Sequence, residues 1–327
     1  MRGVRTALAH GACALGVDAL ARRARTPFLL IVCYHGVRED ASPTRHWLLL
    51  ARSVLERQLQ WLGRHYDVLL IDEALVRASH GGRRPMAAIT FDDGYRSNST
   101  LALPLLQSLG LPATVYLTTG SIDSGAMLWT TWLDLVLDAL PAPPAWLPSR
   151  GGRGAGQVKE ALKRAPSAER EALLARLRED VAADERVQAT LARHADDFAM
   201  LTWEEVRASA RTGVLSFGAH TVSHPIVSRL PDADVAREIG ESMRRVGEQA
   251  GAVSRTFAYP NGRAIDFDAR AVAAVRANGG IAAVTTMGGV NRPGSEPFAL
   301  RRLVVGDGDV DEAMFRLRAA GLGTTAA

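Results

Sequence analysis

Ile89-Thr90-Phe91-Asp92-Asp93-Gly94 is an apolar run that ends in two adjacent acids and a glycine. It reads as a buried strand whose carboxyl end enters a sharp turn, because glycine tolerates the backbone angles such a turn needs. In barrels of parallel strands, active sites form at that end. Adjacent side chains on a strand point to opposite faces, so the two carboxylates converge only if the strand stops there. Taken alone, the segment reads more readily as a plain Asp-Asp-Gly turn capping the next helix. Six further runs, at 29–34, 66–71, 114–118, 214–218, 255–259 and 280–285, share its strand-like form. Helical patterns at 53–64, 101–109, 202–212, 232–247 and 267–278 lie between them. Ser53, Thr202 and Asp232 fit as N-caps, with Glu56 and Glu205 three residues after the first two. Gly110, Gly213 and Gly279 follow helices where a left-handed residue is wanted. The alternation argues for α/β architecture, and about seven units favour a closed (β/α) barrel over a doubly wound sheet.

The stretch 121–201 is too long for a βα loop. Its Pro/Gly-rich segment 141–156 precedes a charged helical run at 158–194, so it is expected to be a helical insertion on the barrel. Trp129, Trp132 and Trp146 within it would either form a sugar-stacking rim or anchor the insertion. The expected organisation is 1–28 as a leading helix or weak anchor, 29–305 as the barrel, and 306–327 as a last helix and tail.

The 327 residues carry 47% hydrophobic and 23% charged side chains, which excludes a disordered chain or a multi-span membrane protein. The net charge is +4, yet only Lys159 and Lys163 are lysines, so 39 − 2 = 37 of the basic residues are arginine. The arginines are scattered among acids, without the basic footprint of a nucleic-acid binder. Two cysteines, Cys13 and Cys33, make neither a disulfide framework nor a Cys-x-x-Cys metal pair. Near the N-terminus, His10 and Asp18 interrupt the Ala-rich run, which is too short to span a bilayer. A cytoplasmic or peripheral-membrane location is therefore expected, with export by a weak signal as the alternative.

Phe217-Gly218-Ala219-His220-Thr221-Val222-Ser223-His224-Pro225 also follows an apolar strand and sets two imidazoles four residues apart. Two histidines and an acid from another strand end would leave coordination positions open for water and substrate, the pattern of a catalytic divalent-metal site. Tyr259-Pro260-Asn261-Gly262 is a third strand-end turn, able to aim a backbone N–H into a cavity.

Taken in order, Thr90–Gly94, His220–His224 and Tyr259–Gly262 resemble the motifs of the polysaccharide deacetylases of the NodB-homology group (carbohydrate esterase family 4). The resemblance spans about 29–305 apart from the insertion. It implies a distorted (β/α)7-type barrel and a metal-dependent hydrolase that removes N-acetyl groups from amino sugars of a polysaccharide or glycan precursor. By the same resemblance, Asp93, His220 and His224 would hold Zn²⁺ (or Co, Ni or Fe), Asp92 would be the general base, and the Asn261 N–H would face the oxyanion. Tyr259 and Pro260 are expected on the substrate side. Two departures stand out. The base-orienting arginine of the third motif falls to Arg255 in an uncertain register, and no histidine follows His224 to serve as the family's C-terminal general acid. His35, in Tyr34-His35-Gly36-Val37 at the end of the first strand, is the expected substitute, tuned by Asp266, Asp268 or Asp72. One of Arg301 and Arg302, near the closing strand, is expected to contact an anionic sugar, Arg302 being the expected one. The alternatives are a deacylase of a lipid-linked or small-molecule amide and a catalytically silent glycan-binding barrel.

Overall fold

A computed structural model describes residues 2–26, 28–79 and 84–322. Its framework is seven parallel strands: β1 (Leu29–Tyr34), β2 (Met86–Phe91), β3 (Ala113–Leu117), β4 (Leu215–Ala219), β5 (Val253–Ala258), β6 (Ala282–Val284) and β7 (Leu303–Val304). They lie side by side as β7-β1-β2-β3-β4-β5-β6. The two edges meet through one short segment. Leu300 exchanges backbone bonds of 3.0 and 2.9 Å with Ala283, within β6, and Thr285, just after it. Three residues on, Leu303 and Val304 pair with Val32 and Cys33 of β1. The result is the distorted (β/α) barrel that the resemblance implies, in keeping with the strand–helix alternation.

Both faces of the strands are apolar, as buried parallel strands require. On β1, Leu30, Val32 and Tyr34 pack outward with Leu55, Leu59 and Leu62 of helix Arg52–His65. Leu29 and Ile31 point the other way, into a smaller cluster with Met86, Ala88, Ala258 and Val284. The inward set continues along the same parity to Cys33 and His35 on β1 and to Thr90 and Asp92 on β2. Alternation alone therefore delivers His35 and Asp92 to one lumen.

Three local expectations need correction. Only Asp67–Val68 of the run 66–71 is a strand, pairing beside Met86 and Ala87 at the rim of β2. From Ile71 the chain is helical to Ser79, with Asp72 and Glu73 placed where a first turn favours acids. Ser53 caps nothing: its helix starts at Arg52 after Ala51, and its hydroxyl donates to Asp40 at 2.6 Å. Asp232 is the first residue of its helix, after Pro231. The Thr202–Glu205 capping box forms as read, and Gly110, Gly213 and Gly279 have φ of 64, 72 and 80°.

Between β3 and β4 stand helices Thr119–Ser124, Trp129–Ala139, Ala155–Arg164, Ser167–Val181 and Glu185–His194, ahead of Trp203–Ala210. Four of them share an apolar cluster that includes Leu133, Val136, Leu162, Leu174 and Leu177. The three tryptophans pack in or against this cluster. Trp129 is 7% exposed, Arg178 lies over Trp132, and Arg176 lies 4.1 Å over Trp146. Helices Arg2–Ala14 and Val17–Arg25 pack against Glu312–Ala319. The end of the tail, 323–327, lies outside the described residues. Among these, no helix is long and apolar enough to cross a membrane.

Candidate active site

The two adjacent acids converge because the strand ends at Phe91 and its last backbone bond, from Asp92 N to the Tyr34 carbonyl at 2.9 Å, stops short of Asp93. Asp92 keeps the inward parity of β2, whereas Asp93 would point outward on a continuing strand. Instead its φ is 79°, which turns the chain and brings its carboxylate back over the mouth of the barrel. Gly94 follows with φ 89°, where an added Cβ would lie 2.9 Å from the Leu117 side chain. The non-glycine residues with positive φ among the described residues are Asp93, Thr221, His224 and Asn261. All four belong to the three motifs, so backbone strain is concentrated where the chemistry was expected.

Asp93 Oδ1 lies 3.5 Å from Nε2 of both His220 and His224. One donor atom from each residue falls within 4.8 Å of the others, and all three side chains are at least largely buried. His220 donates through Nδ1 to the Ala258 carbonyl at 2.7 Å, which leaves Nε2 turned toward Asp93 as the nitrogen a cation would take. Burial drives the His224 pKa down to about 3, so its ring is a neutral donor. Burial works against the charge on Asp93, yet the His220 hydrogen bond and the neighbouring histidines hold its pKa below the ordinary carboxylate value. A carboxylate and two imidazoles in this arrangement suit a divalent cation.

Asp92 has a different partner. Arg302 donates to its two oxygens at 2.7 and 2.6 Å, a bidentate pair, and also to Thr285 O at 2.7 Å and Thr90 Oγ1 at 3.2 Å. Burial opposes ionisation of Asp92, but the guanidinium overrides it and holds the carboxylate far below its usual range. Cys33 Sγ adds a contact at 3.5 Å. This corrects two expectations. Arg302 is 0% exposed and its fork is committed to Asp92, so it does not face a sugar. Arg255 is exposed on β5, with its guanidinium on the Gly279 carbonyl, and does not reach Asp92. Leu303 pairs with the outward Val32, so Arg302 must face the lumen.

His35 is buried beside this group, and its donor atom lies within 4.8 Å of those of Asp92 and Cys33. Its Nδ1 has no hydrogen-bond partner, and the exposed Trp47 ring meets it edge-on at 5.2 Å. Burial lowers its pKa, against the pull of Asp93 and Asp92. None of the three acids expected to tune it does so. Asp266 holds Asn261 and Arg263, Asp268 caps helix Ala269–Ala277, and Asp72 bonds Ser254 and Arg255.

Asn261 sits at the mouth with φ 62°. Its side chain accepts from Lys163 Nζ at 2.9 Å and donates to Asp266 at 2.5 Å. Tyr259 is not at the substrate side, because its ring is 0% exposed and stacks on Phe267 at 4.4 Å. Pro260 is buried too, with its carbonyl accepting from Gly262 N. Two supports escaped the sequence reading. Glu238 accepts from the backbone N–H of Val222 and Ser223, each at 2.9 Å, and from the Ser223 hydroxyl. Trp129 Nε1 donates to the His224 carbonyl at 3.1 Å, with Arg170 over its ring. Both residues are remote in sequence from the histidines they brace, and no local pattern marks them.

A buried Asp-His-His donor set next to a locked carboxylate, at the carboxyl ends of barrel strands, defines a hydrolase site. The chain belongs to the polysaccharide deacetylase family, hydrolases of amide bonds: the family model for polysaccharide deacetylase matches residues 80–281. A poly-beta-1,6-N-acetyl-D-glucosamine N-deacetylase of Escherichia coli (strain K12) is 33% identical over 86 residues. That stretch is 25% of this chain and 12% of the relative, so the chain matches only a small part of the relative's length. Among solved structures, the Streptococcus pyogenes deacetylase PplD in complex with acetate is similar with a TM-score of 0.59 at 18% identity, covering 89% of this chain and 98% of its own. IcaB from Ammonifex degensii gives 0.57 at 17%, covering 89% and 97%. At such identities the likeness is one of fold.

Proposed function

We propose that this chain is a metal-dependent deacetylase that removes N-acetyl groups from glucosamine-type sugars in a polysaccharide or glycan precursor. The observation that carries the reading is the division of labour between two adjacent acids. Asp93 faces two histidines, while Asp92 is held ionised and oriented by Arg302. Asp93, His220 and His224 would hold the divalent ion, for which zinc is the first choice on donor chemistry. When bound, such an ion acidifies water and polarises the acyl carbonyl.

The rest falls to the chain's own side chains. Asp92, fixed by the guanidinium fork, accepts a proton from the attacking water as its oxygen bonds to the acyl carbon. As the C–N bond breaks, the leaving amine must gain a proton. His35 is an imidazole within reach of Asp92; burial lowers its pKa, and it takes up that proton and passes it on. The Asn261 turn, at the mouth of the barrel, presents its backbone to the acyl oxygen. The name of the E. coli relative and the acetate in the S. pyogenes structure support the substrate class.

Acetate release from N-acetylglucosamine oligomers, together with elemental analysis, tests the reading. Asp92→Asn is expected to keep its metal and lose turnover, whereas Asp93→Asn and His220→Ala lose the metal. An active Asp92→Asn enzyme would remove the base from this assignment. His35→Ala is expected to retain metal and lose most turnover, and full activity there would eliminate the relay.

A further inference from the structure

The chain uses arginine for 37 of its 39 basic residues, yet lysine stands at 159 and 163. Both lie on helix Ala155–Arg164 of the insertion, four residues apart and therefore on one face. Each ammonium bonds separate single oxygens rather than a two-pronged partner: Lys159 bonds Asp134, and Lys163 bonds Asn261 Oδ1 at 2.9 Å and pairs with Glu160 of its own helix. Lysine is a point donor on a thin stem, whereas the planar guanidinium demands room and a matching pair of acceptors. Lys163 reaches its oxygen with its side chain only 17% exposed, and its nearest acid, Glu160, is 3.4 Å away.

The partner matters. Asn261 is in the left-handed region at φ 62°, and its side chain is gripped from two sides. Lys163 bonds its oxygen, and Asp266, itself held by the backbone and side chain of Arg263, takes its amide nitrogen. Thr286 donates to its carbonyl at 2.7 Å. Lys163 is the clamp on Asn261 itself that comes from the insertion; Glu160 of the same helix reaches Arg263 at 3.4 Å.

We propose that Lys163 is a positioning residue for the deacetylation reaction, and that the insertion completes the site by pinning the Asn261 turn in its strained conformation. The proposal rests on the deacetylase reading, through the role given to Asn261. Lys163 acts through that turn and hydrogen-bonds neither the metal-binding side chains nor the base, although its charge is felt at His224. Its loss therefore affects the chemical step more than metal binding.

Lys163→Met, Lys163→Arg and, as a comparison, Lys159→Met are assayed for kcat and KM on N-acetylglucosamine oligomers, with metal content measured alongside. Hydrogen exchange of the segment 258–266 is followed in each protein. Lys163→Met is expected to lower kcat on the order of tenfold, short of the roughly hundredfold cost of deleting an oxyanion donor itself. KM and metal content stay within about twofold. Lys163→Arg does not rescue, Lys159→Met keeps the wild-type kcat, and exchange at 258–266 speeds up in Lys163→Met alone. An unchanged exchange rate in Lys163→Met overturns the proposal whether or not any substrate is turned over. So does a loss that tracks metal content. A wild-type protein that releases no acetate while Lys163→Met still loosens the turn would sink the deacetylase reading and leave the clamp standing.

Discussion

Asp92 and Asp93 are neighbours with opposite surroundings, and what separates them is a single backbone rotation. One stays on the strand's inward parity and meets a guanidinium; the other swings through positive φ and meets two imidazoles. The histidine pair and the acid pair were legible because their spacing is local. Arg302 was legible only in part: sequence marked it as facing the site but gave it the wrong partner, because Asp92 is 210 residues away. Lys163 and Glu238 were not assigned to the site at all, and Trp129 was read only as a rim or anchor residue, since each acts by a long-range hydrogen bond that no spacing encodes. At this scale the prediction concerns geometry more than charge. Arg302→Lys keeps a cation beside Asp92 but cannot make two parallel bonds. It is expected to lower kcat by about 100-fold, on the scale of losing general-base assistance, with metal content unchanged. A variant with more than half of wild-type activity would show that orientation of the base is unimportant.

At the level of elements, strands were read well and connections poorly. A buried strand writes its apolar run into consecutive residues, whereas the change from Asp67–Val68 to helix Ile71–Ser79 depends on where the sheet edge ends. The loop 220–224 shows what such connections require. It holds two residues at positive φ, Thr221 and His224, and is secured by the carboxylate of Glu238, which is 5% exposed on the neighbouring helix. Glu238→Gln keeps the size of the side chain but can satisfy those donors only with one neutral oxygen. Support of this kind around metal-binding residues is typically worth 10- to 100-fold in affinity. A fall of about that size in zinc affinity, measured by competition with a chelator, is expected. Unchanged affinity would relegate Glu238 to ordinary helix packing.

The whole molecule is tied together across its termini and across its barrel seam. Asp18, 0% exposed, bonds Arg22 at 2.9 Å and Arg316 at 3.1 Å, joining the leading helices to helix Glu312–Ala319. Burial works against its charge, but the two arginines win and its folded pKa lies below the ordinary value. Its contribution is therefore fully present above the unfolded pKa near 3.9 and is lost as pH falls through the lower folded value. Asp18→Asn, which strands buried arginine charge, is expected to cost about 3 kcal/mol at pH 7. In thermal melts at pH 7 and pH 3, the gap between wild type and variant should narrow at the lower pH. A gap that widens would contradict the sign.

The seam is the other tie. β7 is two residues long, and its pairing with β1 offers few ladder bonds. The buried Arg302–Asp92 pair crosses the same seam and latches it, so the contact that aims the base is also a rivet of the shell. Active sites commonly exchange stability for activity, and screens for heat resistance tend to erode them. Here the two demands coincide. Selecting this chain for thermal endurance alone, with no assay of turnover, should leave both members of that pair untouched.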